Sequence, residues 1–167
     1  MLISLQADYA LRMLMFVARG HSEGKSYVTR DIAEQQHIPR VFLTKIVAFL
    51  SSEGLLETHR GKGGGIALGK KPSEITVLEV IEAFEGALAF NECTTDPTTC
   101  TLSDECTVRH LWSEAEDQLR AFFRTRTLAD LLEMEAKRHF TPLAPVFHVD
   151  APEAHEAGVA SARAART

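Results

Sequence analysis

The stretch from residue 29 to residue 68 most constrains what this chain can fold into. Thr29 is a suitable N-cap for a short helix over 30–37, and Pro39 suits the first turn of a second helix that ends at Gly54. The second helix has a buried stripe at helical spacing, formed by Leu43, Ile46, Val47 and Leu50. Two helices this close together are typical of a helix-turn-helix unit, although an ordinary helix pair in a small bundle has the same pattern.

A hairpin pattern follows directly and favours the first interpretation. Strands are expected at 55–60 and 66–68, with the turn GKGGG between them. The glycines would let the backbone approach a phosphate or enter the minor groove, and they lack the spacing of a nucleotide-binding loop. A flexible hairpin that needs positive φ angles is the simpler alternative. The predicted DNA-contacting side chains lie on the two helices and on this wing: Arg30, Arg40, Thr44, Lys45, His59, Arg60 and Lys62.

The charge of the chain is unevenly distributed. The net charge of −5 alone would disfavour nucleic acid as a partner. Residues 1–71, however, carry ten Lys and Arg against six Asp and Glu (net +4), and the rest carry eight against seventeen (net −9). A basic N-terminal part followed by an acidic part favours a DNA-binding module joined to a regulatory half. No apolar run approaches the roughly 20 residues that span a bilayer, and no signal peptide is recognisable, so we expect a cytoplasmic protein without membrane contact.

The other helical patterns surround this unit. A first helix is predicted over 5–19. A capping-box pattern at Thr76 opens another helix that stops at Gly86, and Thr127 with Asp130 caps the last one. The expected fold class is therefore mainly α with a small β-hairpin wing: a winged helix-turn-helix followed by a long dimerisation helix.

That long helix is expected from about Asp104 to Arg124. Its apolar side chains keep to one face: Val108, Leu111, Trp112, Ala115, Leu119, Phe122 and Phe123. The stripe is broader than one edge of a small winged domain can bury, so we expect it to pack against its copy in a homodimer. The alternative is that it covers its own domain.

Three regions follow from these patterns. We expect a winged helix-turn-helix DNA-binding domain over 1–72 and a loop with dimerisation helices over 73–140. The segment 141–167 is rich in proline and small residues with little to bury, so we expect a disordered tail.

All three cysteines of the chain, Cys93, Cys100 and Cys106, fall within fourteen residues. An iron–sulfur cluster needs thiolates that converge from a loop, with a fourth position left open or taken by a weaker ligand. A zinc site usually has a closer cysteine pair, although His110 could complete a tetrahedral set. A thiol switch needs only two cysteines within reach. The spacing leaves these three interpretations open.

The chain resembles the IscR/NsrR/RirA-type winged-helix iron–sulfur transcriptional regulator family of bacteria. The matching segments are ADYALRMLMFVA, VFLTKIVAFLSSEGLLETHRGKGGGIAL, TVLEVIEAFEG, the three-cysteine loop and TLADLL, and together they span roughly residues 1–138. No single segment is specific, but their combination is. The resemblance implies a homodimer that binds a near-palindromic double-stranded DNA site. No nucleophile elbow, Walker loop or paired-carboxylate motif stands out in the sequence, so we expect no enzymatic activity.

The resemblance also implies the ligands of a cofactor. Cys93, Cys100 and Cys106 would hold an iron–sulfur cluster, either 4Fe-4S or 2Fe-2S. Asp8 matches the position from which some nitric-oxide-sensing members supply a carboxylate from the other subunit. His110 is the alternative fourth ligand, but the histidine-ligated members carry theirs one residue earlier, where this chain has Arg109. The implied function is a repressor whose DNA affinity depends on a cluster that senses nitric oxide, redox or iron status. A cluster-free thiol- or zinc-responsive regulator is the alternative.

Overall fold

The structure, a computed structural model, describes residues 3–59, 61 and 64–137. Seven α-helices follow one another in these residues: Leu5–Ala18 (α1), Thr29–Gln36 (α2), Arg40–Ser52 (α3), Val77–Glu85 (α4), Glu92–Thr95 (α5), Thr107–Arg124 (α6) and Leu128–Lys137 (α7). Strands Leu56–His59 (β1) and Gly65–Leu68 (β2) form an antiparallel hairpin between α3 and α4. This architecture confirms the expected fold class.

The second helix begins at Thr29, one residue earlier than expected, with Val28 as its N-cap. The prediction that Thr29 caps this helix is therefore wrong. The reason is tertiary, because Tyr27 pairs with Ile66 of β2 through two backbone hydrogen bonds of 2.9 and 2.8 Å. This pairing keeps the chain extended up to Val28, and the helix starts as soon as the pairing ends.

The connection from α2 to α3 is short. His37 adopts a left-handed conformation with φ of 52°, and the Ile38 amide donates to the Ala33 carbonyl at 3.0 Å. Pro39 then occupies the N-cap of α3, where its lack of an N–H has no cost. At the far end of α3, Gly54 has φ of 70° and ends the helix as predicted.

The hairpin packs one face against the helices. Its register pairs His59 with Gly65 at the end nearer the turn. Its buried side chains are Leu56, Ile66 and Leu68. Arg60 and Lys62, predicted as DNA-contacting residues of the wing, lie outside the described residues.

Helix α1 lies at the centre of the main core, where it packs against α2, α3, α4, α7 and β2. The largest fully buried side chains of this core include Met13, Leu14, Ile32, Leu43, Ile46 and Leu50. Each such side chain stabilises the fold by roughly 1.5–3 kcal/mol relative to an exposed one. Ile75, Val80 and Leu128 belong to the same core. The division into 1–72 and 73–140 stays a prediction, since packing continues across residue 72, and the tail predicted over 141–167 lies outside the described residues.

A second, smaller core cluster joins α4 to α6. Its buried residues are Val77, Leu78, Ile81 and Leu88. Leu119 and Phe123 of α6 are half-buried against it. These two residues were expected to face a second subunit, but part of their surface packs within the same chain, because α4 has a second apolar side that α6 covers.

Helix α6 also starts later than expected. Residues Ser103–Glu105 form a 3₁₀ turn, and Cys106 is the N-cap of α6 with extended backbone angles. The first helical residue is therefore Thr107 rather than Asp104. Among the helices described, none has both the length and the apolar character that crossing a membrane requires.

Candidate functional site

The first candidate surface is the outer side of α3. Arg40, Thr44 and Lys45 are exposed there, whereas the opposite side of the helix faces the main core. The Thr44 hydroxyl donates to the Arg40 carbonyl at 2.9 Å, and the Arg40 guanidinium lies 3.2 Å from Glu34 on α2. Exposed ion pairs of this kind contribute little to stability, so the Arg40 side chain can exchange this partner for a phosphate.

The other described DNA candidates are also exposed. Arg30, in the first turn of α2, pairs with Asp31 at 3.3 Å. His59, at the end of β1, lies 3.5 Å from Glu57. All five described candidates are thus solvent-accessible side chains with at most a surface partner, and such side chains are available to a nucleic acid.

The second candidate site is the cysteine loop between α4 and α6. Cys93 lies in the single-turn helix α5, Cys100 directly follows the 3₁₀ turn Pro97–Thr99, and Cys106 caps α6. Asp96 caps the 3₁₀ turn, and hydrogen bonds from the Thr98 hydroxyl and amide hold the pKa of Asp96 below its ordinary value. The loop is therefore a series of short turns, of which the Pro97–Thr99 turn is capped by a side chain.

The three cysteines are free thiols that differ in exposure: Cys100 is exposed, while Cys93 and Cys106 are half-buried. Nowhere in the described ranges do three His, Cys, Asp or Glu side chains lie close enough together to hold one metal ion. In this conformation the predicted ligands are thus neighbours in the loop without converging on one point. Ser103, between Cys100 and Cys106, is buried, and its hydroxyl has no hydrogen-bond partner within the described residues.

Two side chains of α6 tie the first part of the loop to the helix. Glu116, only 7% exposed, accepts hydrogen bonds from the Phe90 amide at 2.5 Å and the Thr94 hydroxyl at 2.8 Å. Arg109 donates from Nε to the Cys93 carbonyl at 2.8 Å and from Nη1 to the Ser103 carbonyl at 3.3 Å. We call these two residues the Arg109–Glu116 clamp.

An aromatic contact lies between them. The Phe90 and Trp112 rings meet edge to face with centroids 6.1 Å apart. With its amide turned so that the oxygen faces the indole, Asn91 also accepts from Trp112 Nε1 at 3.2 Å. The clamp and this contact place α5 along one side of the first half of α6.

The two candidates for a fourth ligand lie on different helices. His110 is exposed in the first turn of α6, and its amide makes the helical bond to the Cys106 carbonyl at 3.2 Å. Asp8 is exposed near the start of α1 and pairs with Arg12 at 3.5 Å. Arg12 also donates to the Gln36 carbonyl.

The side of α6 next to the one that packs on α4 remains exposed to solvent. Val108, Leu111 and Trp112 are 56%, 57% and 37% exposed, although all three are large and apolar. The predicted stripe therefore divides in two: one side packs on the chain itself, and the other stays open along the first half of the helix. Exposed apolar surface at this spacing is typical of a helix–helix interface.

No role for Arg109 or Glu116 was predicted from the sequence. A signal for Glu116 was present, because it occupies a position at helical spacing between Trp112 and Phe123, where an apolar residue would be expected. A charged residue in an apolar stripe often has a specific polar partner. The partners here are a backbone amide and a hydroxyl of the loop, which no local pattern identifies.

The family model described as Rrf2, iron-dependent transcriptional regulator, matches residues 3–134. The chain belongs to the Rrf2 family. It is accordingly a winged-helix, DNA-binding transcriptional regulator, and the expectation that it is not an enzyme is confirmed.

Similar Rrf2 proteins bear several names. The chain is 38% identical over 130 residues to the HTH-type transcriptional regulator NsrR of Geobacillus kaustophilus, covering 77% of this chain and 88% of that one. It is 33% identical over 132 residues to IscR of Escherichia coli, covering 79% and 80%. Among solved structures, CymR, described as the global cysteine regulator of B. subtilis, matches with a TM-score of 0.67 at 27% identity, covering 80% and 97%. These likenesses support the family resemblance found in the sequence.

Proposed function

We propose that this Rrf2-family protein is a cytoplasmic, dimeric repressor whose DNA affinity is controlled by an iron–sulfur cluster bound to Cys93, Cys100 and Cys106. The observation that supports this best is the position of the cysteine loop. It directly precedes α6 in the chain and is hydrogen-bonded to it through the Arg109–Glu116 clamp. A change in the loop therefore acts on the helix that carries the open apolar side.

Our proposal for DNA binding uses the exposed side chains of α3 and the wing. Arg40, Thr44 and Lys45 would meet base edges and phosphates in the major groove, with Arg30 beside them on α2. His59, together with Arg60 and Lys62 from outside the described residues, would contact the backbone or the minor groove. In a homodimer, two such units would bind the two halves of a near-palindromic site.

The donor set of the loop fits an iron–sulfur group in its chemistry. Three free thiols within fourteen residues supply the soft ligands that such clusters take. When bound, a 4Fe-4S or 2Fe-2S cluster supplies chemistry that responds to nitric oxide, oxidants or iron supply. We propose Asp8 of the partner subunit as the fourth ligand, and His110 as the alternative. A carboxylate is a hard ligand among thiolates, so it would be displaced readily.

The proposal is tested by purifying the protein without oxygen and measuring iron, acid-labile sulfide and visible absorbance. We expect a brown protein that contains iron and sulfide, and that binds its operator differently before and after exposure to nitric oxide or oxygen. The proposal would be refuted by a colourless, iron-free anaerobic preparation whose binding to the operator is still regulated normally.

One observation favours a second candidate, a regulator that responds through its thiols without a cluster. The three cysteines are free and do not converge, and the chain is similar in fold to a CymR described as a cysteine regulator. Alanine at each cysteine separates the two functions. A cluster requires all three thiols, whereas a disulfide requires two, so one of the three variants would then keep its redox response. Zinc measured in the purified protein would instead indicate a zinc-responsive regulator.

A further inference from the structure

We propose that the Arg109–Glu116 clamp holds Cys93 in place on α6 before any group is bound, while Cys100 is the cysteine that moves to complete the site. Arg109 and Glu116 are then positioning residues for Cys93 rather than ligands. This inference deepens the proposed function, because it names which part of the loop is preformed.

The hydrogen bonds of the clamp are arranged around Cys93. Glu116 binds one residue on each side of it, since the Phe90 amide precedes Cys93 and the Thr94 hydroxyl follows it. Arg109 binds the carbonyl of Cys93 itself. Because Glu116 is buried, its two hydrogen bonds are shielded from water and the loss of either would leave a buried polar group unpaired.

Cys106 is fixed to the same helix by a different route. It is the N-cap of α6, and its carbonyl accepts from the His110 amide at 3.2 Å. Arg109 also donates to the Ser103 carbonyl, so one guanidinium joins the α5 end of the loop to the turn before Cys106. A planar guanidinium presents its donors in a rigid fork and so holds two carbonyls in a fixed relation, whereas the donors of an ammonium rotate freely.

Cys100 has no comparable attachment among the described residues. It is exposed and lies between two 3₁₀ turns, and its carbonyl accepts only a local bond from the Ser103 amide at 3.1 Å. Neither clamp residue bonds to the segment from Asp96 to Leu102. Two of the three thiols are thus anchored on α6, and the third is on the part of the loop that is free to move.

The clamp also lies beside the open side of α6. Arg109 directly follows Val108 in the chain, and Trp112, on the same open side, lies between Arg109 and Glu116 in α6. A displacement of Cys93 would therefore be transmitted through the clamp hydrogen bonds to the turns of α6 that expose apolar residues. In this way a change in the cysteine loop would alter an interface formed by α6.

The test measures thiol reactivity in the full-length, reduced, metal-free protein. Competitive alkylation with light and heavy iodoacetamide, read by peptide mass spectrometry, gives a separate rate for each cysteine. We expect Cys100 to react fastest in the unaltered protein. Glu116→Ala should raise the Cys93 rate by roughly threefold to tenfold, the range expected when one or two hydrogen bonds are lost, and leave Cys100 unchanged. Arg109→Lys should raise the rate at Cys93 and, to a smaller extent, at Cys106.

Conservative and control variants separate positioning from general destabilisation. Glu116→Gln keeps an oxygen that accepts both hydrogen bonds, so it should restore the normal Cys93 rate. Glu114→Ala and Arg124→Lys, at exposed positions of α6, should change no rate. Trp112 is the only tryptophan of the chain and touches Phe90, so its emission should shift to the red in Glu116→Ala but not in Glu116→Gln. If Glu116→Ala fails to fold, the alkylation rates of Cys93 and Cys106 in Arg109→Lys test the proposal instead.

An unchanged Cys93 rate in both Glu116→Ala and Arg109→Lys overturns the proposal, as does an equal rise at all three cysteines. Because the rates are measured without iron or DNA, this outcome is independent of the proposed function. If anaerobically purified protein contained no iron, control by a cluster would be refuted, but the alkylation rates of the three cysteines would be unaffected.

Discussion

Asp8 Oδ2 lies 3.5 Å from Arg12 Nη1, one helical turn further along α1. Both side chains are about half exposed, at 53% and 40%, and Arg12 is also bonded to the Gln36 carbonyl at the end of α2. The pair holds the Asp8 carboxylate on the outside of the winged-helix core. A group from a second subunit can reach it there without disturbing the packing of α1.

We predict that Asp8→Ala leaves the fold intact and weakens the retention of the cluster. An exposed ion pair contributes about 0–1 kcal/mol, so the free energy of unfolding of the metal-free protein should barely change. Loss of a ligand should speed iron release to a chelator by about tenfold or more. Asp31→Ala is the matched control, since Asp31 is an exposed helical aspartate paired with an arginine. Equal release rates in the two variants would rule out Asp8 as a ligand.

We predict that Lys45→Ala weakens operator binding by roughly 1–2 kcal/mol, about fivefold to thirtyfold, because a charged contact to DNA is lost. If Lys45 binds a phosphate, the slope of log affinity against log salt should fall by about 1. Fluorescence anisotropy over a salt series measures both. Lys137→Ala, an exposed lysine at the end of α7, should change neither quantity. A Lys45 variant with the affinity and slope of the unaltered protein would remove α3 from the DNA interface.

We predict that Leu111→Glu makes the protein monomeric and lowers operator affinity by more than tenfold. Leu111 is 57% exposed on the open side of α6, and a buried carboxylate there would lose its hydration without gaining a partner. Sedimentation equilibrium reports the mass, and circular dichroism checks that the helices persist. Ala121→Glu adds the same charge at an exposed position on another side of α6 and should leave the oligomeric state unchanged. A dimer with unchanged affinity in Leu111→Glu would show that this side of α6 is not the interface.

We predict a pH-dependent contribution to stability from the cap of α7. The Thr127 amide donates to Asp130 Oδ2 at 2.8 Å and its hydroxyl does so at 2.8 Å, and these bonds lower the pKa of Asp130 below its ordinary value of 3.8. A carboxylate with a depressed pKa stabilises the fold at pH values above its unfolded pKa, and that contribution is lost as the pH falls through the folded pKa. Asp130→Ala should therefore be less stable than the unaltered protein at neutral pH, and the difference should vanish in strong acid.

Urea unfolding across the pH range measures this difference, with exposed Asp117→Ala as the control. Thr127→Ala, which removes the N-cap hydroxyl, should cost about 1 kcal/mol at neutral pH. A difference between Asp130→Ala and the unaltered protein that stays constant down to strong acid would contradict the assignment.

Local patterns in the sequence determined the elements whose causes are themselves local. Thr76 caps α4 through its hydroxyl and the Glu79 amide, Gly86 ends that helix at φ of 74°, and Gly54 ends α3, all as their positions in the sequence predicted. Helix spacing identified the buried side of α3, because residues three and four apart share one side of a helix. The order of helices, wing and cysteine loop followed from the same patterns, whereas the family was indicated by the resemblance of whole segments to its members.

Tertiary structure alone decided which partner each surface meets. The start of α2 depends on the pairing of Tyr27 with Ile66, two residues that lie 39 positions apart in the sequence. The division of the α6 stripe depends on how α4 and α5 pack beside it, so periodicity showed an apolar stripe without showing what covers each part. The same is true of the Arg109–Glu116 clamp. Its hydrogen bonds join residues from 6 to 26 positions apart, and helical spacing contains no information about contacts made across a loop.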